Sequence, residues 1–315
     1  MDTFLFSFNA VMPLILMVAL GYFLVRIKLI DAGFIEKANK FCFNVAFPLS
    51  LFSTIVNIDL LTEINGSLYA FAVAAILLIV GALMLFVPKV VQGNPQRGAL
   101  IQGIYRGNFL LMGFPLARNL FGEAGIGPTA MLLPVVVALF NVVAVFVLEY
   151  YSCEENVKVS KLKILTGVLT NPLIIGALAG AVFSLLRIKL PLFLDRATED
   201  VGLIAVPLAL ILLGGSFNWK KSAANVRLLL SATLIRMVLV PAIMIAAAVA
   251  LGFRGPELGA IFILFCCPTA VSSYIMACSM KSDSDLAGQI VLTTTITSAV
   301  TMFAAAWLLR AMLLI

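Results

Sequence analysis

The chain has 315 residues, of which 63% are hydrophobic and only 11% are charged, and its mean hydropathy is +1.13. A soluble domain of this length could not bury so much apolar surface, so the composition excludes soluble classes and predicts a polytopic membrane protein in the lipid bilayer. The net charge of +6 would elsewhere suggest nucleic acid. Here the basic residues lie between apolar segments, where they orient a chain in the membrane, so no nucleic-acid partner is expected.

Apolar segments of about 20 residues, long enough to cross a bilayer, follow one another along the whole chain. They cover residues 4–27, 35–57, 66–88, 98–121, 126–150, 162–187, 193–216, 225–251, 257–280 and 286–311. The loops between them are too short to hold a soluble domain. The sequence therefore predicts an all-α protein with ten transmembrane helices.

The two halves of the chain repeat each other at an offset of 159 residues. "FIEKANKFCFNVAFPLSL" (34–51) aligns with "FLDRATEDVGLIAVPLAL" (193–210), and the same offset aligns "PLI" at 13–15 with "PLI" at 172–174. Each copy, 1–153 and 161–315, holds five predicted helices, and an odd number forces the second copy to enter the membrane from the opposite side. Inverted five-helix repeats are typical of transporters, which bind their substrates near the membrane midplane between the repeats.

The distribution of basic residues predicts the orientation of the chain. With the N-terminus outside, thirteen Lys and Arg lie in or beside the odd-numbered loops, against six beside the even-numbered loops and the C-terminus. The positive-inside rule then places the 151–161 connector in the cytoplasm and both termini outside the cytoplasm, although the loop near Arg187 opposes this trend.

The fourth and ninth segments contain residues that interrupt a membrane helix. In "RGNFLLMGFPLARNLFG" (106–122) these are Arg106, Gly107, Asn108, Gly113 and Pro115. In "FILFCCPTAVSSYIMACSM" (262–280) they are Pro268, Thr269, Ser272 and Ser273. Freed main-chain groups cannot face lipid, so such breaks are buried or line a wet cavity. Because the two segments correspond in the repeat, these residues form the predicted substrate site.

The charges in these segments favour an anionic substrate. Two half-helices that begin near the midplane direct the partial positive charge of their N-termini at a ligand. Arg106 and Arg236 also lie within predicted spans, whereas every carboxylate lies in a loop, a tail or the last turn of a helix. Each arginine has a structural alternative: Arg106 could extend towards the cytoplasmic surface, and Arg236 could bind main-chain carbonyls.

The tenth segment adds a polar stretch, "QIVLTTTITSAVT" (289–301). Its polar residues are Gln289, Thr293, Thr294, Thr295, Thr297 and Ser298. Hydroxyls in a membrane helix can bind the carbonyls of their own helix, or they can bind a carboxylate or a sodium ion, and the sequence leaves both alternatives open. Histidine is absent and the five cysteines show no metal spacing, so no cofactor or metal and no intramembrane enzyme chemistry is expected.

Four motifs in this order resemble the auxin efflux carrier family. They are "NVAFPLSLF", "RGNFLLMGFPLARNLFG", "NPLIIGALAG" and "PTAVSSYIMA". The family is similar in architecture to the PIN auxin carriers and the bile acid:sodium symporters. The resemblance implies a homodimer in which helices 1, 2, 6 and 7 form a scaffold. Helices 3–5 and 8–10 would form a transport domain that moves as an elevator, with the fourth and ninth helices unwound at Pro115 and Pro268.

These observations predict a secondary transporter that moves a small organic anion, malonate-like or auxin-like, across the inner membrane. The short connector between the repeats fits a bacterial carrier. Two alternatives stay open: a sodium-coupled symporter of the bile acid type, and a sensor or channel that has kept the transporter fold.

Overall fold

The computed structural model describes residues 2–57, 66–122, 126–152, 161–217 and 225–315. The regular elements in these ranges are helices. In chain order they are α1 (Asp2–Arg26), α2 (Ala32–Phe41), α3 (Phe47–Val56), α4 (Gly66–Val90), α5 (Asn94–Tyr105), α6 (Phe109–Phe121), α7 (Ile126–Tyr151), α8 (Lys161–Leu169), α9 (Pro172–Leu185), α10 (Leu192–Ser216), α11 (Val226–Leu234), α12 (Val240–Ala250), α13 (Gly255–Cys266), α14 (Ser272–Ser279) and α15 (Ser284–Ala311).

The lengths and compositions of the helices fit a protein that crosses the membrane several times. Within the described ranges, five helices are long and apolar enough to span a bilayer: α4, α7, α10, α15 and the continuous helix Val226–Ala250. Shorter apolar helices include Pro172–Leu185 and Gly255–Cys266. The all-helical class is thus confirmed for the described residues, whereas the ten-helix inverted repeat stays a prediction.

Two long helices contain a π-helical turn immediately before a proline. The turns are Cys42–Ala46, between α2 and α3, and Ile235–Leu239, between α11 and α12, and each ends two residues before a proline, Pro48 or Pro241. A proline lacks the N–H for the helical bond and its ring clashes with the carbonyl of the preceding turn. The wider turn relieves this clash, so each helix continues through its proline.

The helices pack in two groups. The first bundle consists of α1, α2, α3, α9 and α10, and the second bundle consists of α4–α7 and α11–α15. α1 and α10 approach closely because Gly21 and Gly214 face the main chain of the partner helix, where a Cβ would overlap the carbonyls of Ile211 and Val18. α8, part of the predicted sixth helix, contacts α7 of the second bundle as well as α9 of the first. The division into scaffold and transport domain that the family resemblance implies stays a prediction.

The sixth predicted span, 162–187, is two helices rather than one. α8 ends at Leu169 and α9 begins at Pro172, and the side-chain oxygen of Asn171 accepts a hydrogen bond from the N–H of Leu173 at 3.0 Å. An asparagine N-cap followed by proline at the first helical position is a strong signal for a helix start. The prediction of a continuous sixth helix was wrong because this local signal outweighs the apolar run.

Candidate functional site

The break in the fourth span lies at Arg106–Asn108, between α5 and α6. The prediction that the chain unwinds at Pro115 was wrong: Pro115 and Gly113 both lie inside α6. A proline inside a helix removes a single main-chain bond and kinks the helix. At Gly107, by contrast, a Cβ would overlap the guanidinium of Arg236, so a side chain here would displace this guanidinium from the carbonyls that it binds.

The break in the ninth span contains Pro268, as predicted, and it pairs with the first break through the main chain. The N–H of Asn108 donates to the carbonyl of Pro268 at 2.7 Å, and the N–H of Ala270 donates to the carbonyl of Arg106 at 3.0 Å. These bonds make an isolated antiparallel bridge between Gly107 and Thr269. We call the two bridged breaks, residues 106–108 and 267–271, the crossing. Each break thus supplies hydrogen-bond partners for main-chain groups of the other. Irregular main chain inside a membrane requires such partners within the protein.

Thr269 ties this bridge to the neighbouring helices. Its hydroxyl donates to the carbonyl of Gly103 at 2.6 Å, and its N–H donates to the hydroxyl of Thr294 on α15 at 3.1 Å. Both threonines are fully buried. Thr269 therefore holds the crossing together, and it does not line the cavity beside the crossing that is described below.

Arg236 binds the C-terminal ends of α5 and α13, the half-helices that precede the two breaks. Its Nε and Nη2 donate to the carbonyl of Cys267, at 3.1 and 2.5 Å, and its Nη1 donates to the carbonyls of Ile104 and Tyr105, both at 3.3 Å. The last carbonyls of a helix have no partner in the helix and carry partial negative charge. The side chain is 0% exposed and does not line the cavity, so its geometry fits the structural alternative.

A cavity of about 410 Å³ lies between the first bundle and the crossing. The crossing contributes Arg106, Gly107, Asn108, Ala270, Val271 and Ser272 to its wall. The first bundle contributes mainly apolar side chains, and its polar contributions are the hydroxyls of Ser50 and Thr54. α6 and α14 both begin at this wall, so the N-terminal ends of the second half-helices border the cavity.

Arg106 brings a positive charge to this wall with only neutral partners. It is 4% exposed, and its Nη2 donates to the side-chain oxygen of Asn141 on α7 at 2.6 Å while its Nη1 contacts the sulfur of Met276 on α14. Asp and Glu are absent from the cavity wall in the part of the chain that the structure describes. The wall therefore has an unbalanced positive charge, which suits an anion.

Two further side chains at the wall are open to a ligand. Asn108 and Ser272 both line the cavity. Neither side chain has a hydrogen-bond partner among the described residues, although Asn108 is only 6% exposed. The crossing thus brings one residue with a guanidinium, one with an amide and one with a hydroxyl to the cavity wall.

The other predicted site residues lie away from the cavity wall. They are Gly113, Pro115, Pro268, Ser273, Gln289, Thr293, Thr294 and Thr297. The hydroxyls of Thr293, Thr294 and Thr297 donate to carbonyls of their own helix, and the side-chain oxygen of Gln289 accepts from Asn225 at 3.4 Å. Their role in binding substrate or sodium stays a prediction.

Asn141 is a cavity residue that the sequence analysis missed. It lies within the apolar stretch "VVVALFNVVAVF" of the fifth span. Its amide nitrogen donates to the carbonyl of Val137 at 2.7 Å, so its oxygen faces Arg106. A polar residue in the middle of an apolar span is itself a signal of function, and this signal could have identified Asn141.

The family model described as membrane transport protein matches residues 6–305 of the chain. The chain belongs to this family. It is the auxin efflux carrier family that the four motifs resemble, so the resemblance is confirmed. No match to a curated protein is found. Membership in the family, together with the apolar helices, makes the protein a multi-pass membrane transporter.

Proposed function

We propose that this transporter is a secondary carrier that moves a small organic anion across the inner membrane by an elevator mechanism. The observation that carries the proposal is Arg106, a residue of the cavity wall whose guanidinium has neutral partners only. A buried charge without a counter-ion is costly, and an entering anion would supply one. Asn108 and Ser272 would complete the recognition of its carboxylate.

The half-helices support the same charge preference. The N-terminal ends of α6 and α14 lie at the cavity, where their partial positive charges favour an anion. The C-terminal ends of α5 and α13, which would repel an anion, are bound by Arg236. Arg236 would thus contribute to anion binding without touching the substrate.

The cavity wall also supports a preference among anions. Arg106 is the cationic side chain of the described wall, and most of the remaining lining is apolar. A second carboxylate would enter this mainly apolar surface without a cationic partner, and burying even a neutral polar group without a hydrogen bond costs about 2 kcal/mol or more. A monocarboxylate with an apolar body therefore fits better than a dicarboxylate such as malonate.

The position of the cavity between the bundles supports alternating access. The crossing belongs to the second bundle, and the facing wall belongs to α1, α3, α9 and α10 of the first bundle. In this proposal the two halves of the chain are inverted five-helix repeats, and the second bundle slides along the first. The crossing then carries its ligand across the membrane. In this proposal the first bundle is the scaffold and also forms the homodimer, with both termini outside the cytoplasm.

The experiment is charge movement in proteoliposomes on a solid-supported membrane. Jumps of mono- and dicarboxylates are applied with and without sodium. Saturating currents with monocarboxylates in sodium-free buffer are the expected result. Currents that require sodium would favour the symporter and make Thr293 and Thr297 the next targets.

The remaining alternative needs a binding measurement on the same panel. Saturable binding without transport of labelled substrate would favour a sensor that has kept the fold. If no anion of the panel gave a current, a flux or saturable binding, the result would contradict the proposed function. Liposomes without protein give the baseline, and a Lys40→Gln variant, which changes an exposed residue that does not line the cavity, is the matched protein control.

A further inference from the structure

Asn141 has two properties that a purely structural asparagine would not need. It lines the cavity, and its oxygen accepts from the guanidinium of Arg106 at 2.6 Å. The bond from its amide nitrogen to the carbonyl of Val137 fixes the orientation of the amide, and the side chain is 2% exposed. Arg106 is therefore held at the wall by an acceptor that carries no net charge.

An aspartate would serve the same geometry with the opposite effect on charge. It has nearly the same shape and keeps an oxygen that can accept from Arg106, although it loses the N–H that donates to the carbonyl of Val137. A charged acceptor makes a stronger bond to a guanidinium than an amide does. In a buried site this ion pair would be weakly screened and would neutralise Arg106. An organic anion would then lose its counter-charge and would face the aspartate.

We infer that Asn141 sets the charge selectivity of the cavity by leaving Arg106 uncompensated, so that the counter-ion of Arg106 is the transported anion. This inference rests on the proposed function and deepens it. Asn141 acts through Arg106 and is a positioning residue. Met276, the other partner of Arg106, is also neutral and completes the arrangement.

The test compares Asn141→Asp with Asn141→Ala in the full-length protein, with KM and maximal current measured for the best anion of the panel. If Asn141 served only to hold Arg106 in place, Asp, which keeps the acceptor for Arg106, would be milder than Ala, which loses both that acceptor and the N–H to Val137. The inference predicts the reverse order. Asn141→Ala should raise KM about 3- to 10-fold, and Asn141→Asp about 100-fold or more.

A second pair of variants places the charge at the other partner of Arg106. Met276→Glu should raise KM about as much as Asn141→Asp, whereas Met276→Gln, of similar size and neutral, should stay within about 10-fold of the parent. This pair keeps the test decisive if Asn141→Asp does not fold, which melting temperature and gel filtration report. Asn171→Asp is the matched control because aspartate is an equally good N-cap and Asn171 does not line the cavity.

The outcomes separate the inference from the proposed function. A parent protein that neither transports nor binds any anion would contradict the proposed function and the inference with it. A parent with saturating anion currents, and folded acidic variants no worse than their neutral counterparts, would overturn the inference alone.

Discussion

Arg106 and Arg236 lie at the same crossing and are both buried, yet their partners differ in kind. Arg236 donates to three main-chain carbonyls at the ends of two half-helices. Arg106 donates to a neutral side chain at the wall of a cavity. Burial of an arginine in an apolar span therefore does not by itself indicate the role of that arginine. What it binds decides whether it serves the fold or a ligand.

The largest expected effect is on folding, from Arg236→Gln. Glutamine cannot reach three carbonyls, so the ends of α5 and α13 lose partners inside the protein, at a cost of about 3–5 kcal/mol. We expect a clear drop in melting temperature and in detergent-extracted yield. Arg236→Lys keeps the charge but not the planar fork, so its melting temperature and yield should lie between those of the parent and of Arg236→Gln. A stable, fully active Arg236→Gln protein would remove the distinction between the arginines.

The next effect is on anion affinity, from Arg106→Gln. Removing the uncompensated charge should raise KM for the anion about 100-fold, equivalent to roughly 2.7 kcal/mol, while the melting temperature stays near that of the parent or rises. Solid-supported-membrane currents and thermal melts on the same preparation give both quantities. A loss of stability comparable to that of Arg236→Gln would mean that Arg106 also serves the fold.

A smaller effect is expected from Asn108→Ala. Asn108 lines the cavity, and its side chain makes no hydrogen bond within the described part of the chain, so the substitution leaves no protein partner unsatisfied. We expect KM to rise about 10-fold, equivalent to about 1.4 kcal/mol, with unchanged yield. Parent-like transport by Asn108→Ala would place the ligand elsewhere in the cavity.

The smallest effect is expected from Thr297→Val. The Thr297 hydroxyl donates to the carbonyl of Thr293 in its own helix, and it lies away from the cavity wall. We expect transport within about two-fold of the parent, because the substitution removes only a bond from the hydroxyl to a carbonyl of its own helix. The titration is repeated with and without sodium. A loss of sodium-dependent current in Thr297→Val would indicate that the tenth span takes part in the binding site.

The sequence predicted the features that depend on local composition. The apolar segments, the interrupted fourth and ninth spans and the position of the second break at Pro268 all follow from residues that weaken or remove helical bonds. The family was recognised from motifs in the same segments. These features can be predicted because each depends on residues close together in the chain.

The features that the sequence did not predict depend on contacts between distant segments. The first break lies at Gly107 rather than Pro115 because the opposite break and Arg236 occupy the space beside it. The roles of the two arginines depend on partners that only folding brings near. Asn171 is different: its N-cap signal was present in "NPLIIGALAG", and it was outweighed by the apolar run around it.

The bridge between Gly107 and Thr269 is made by main-chain atoms alone. Its geometry therefore does not depend on the identity of the side chains that face the cavity. Apart from Gly107, where a Cβ would overlap Arg236, the wall residues at this crossing can be exchanged one at a time while these main-chain bonds remain. A transporter of this construction can acquire a new substrate by single substitutions, without a new fold.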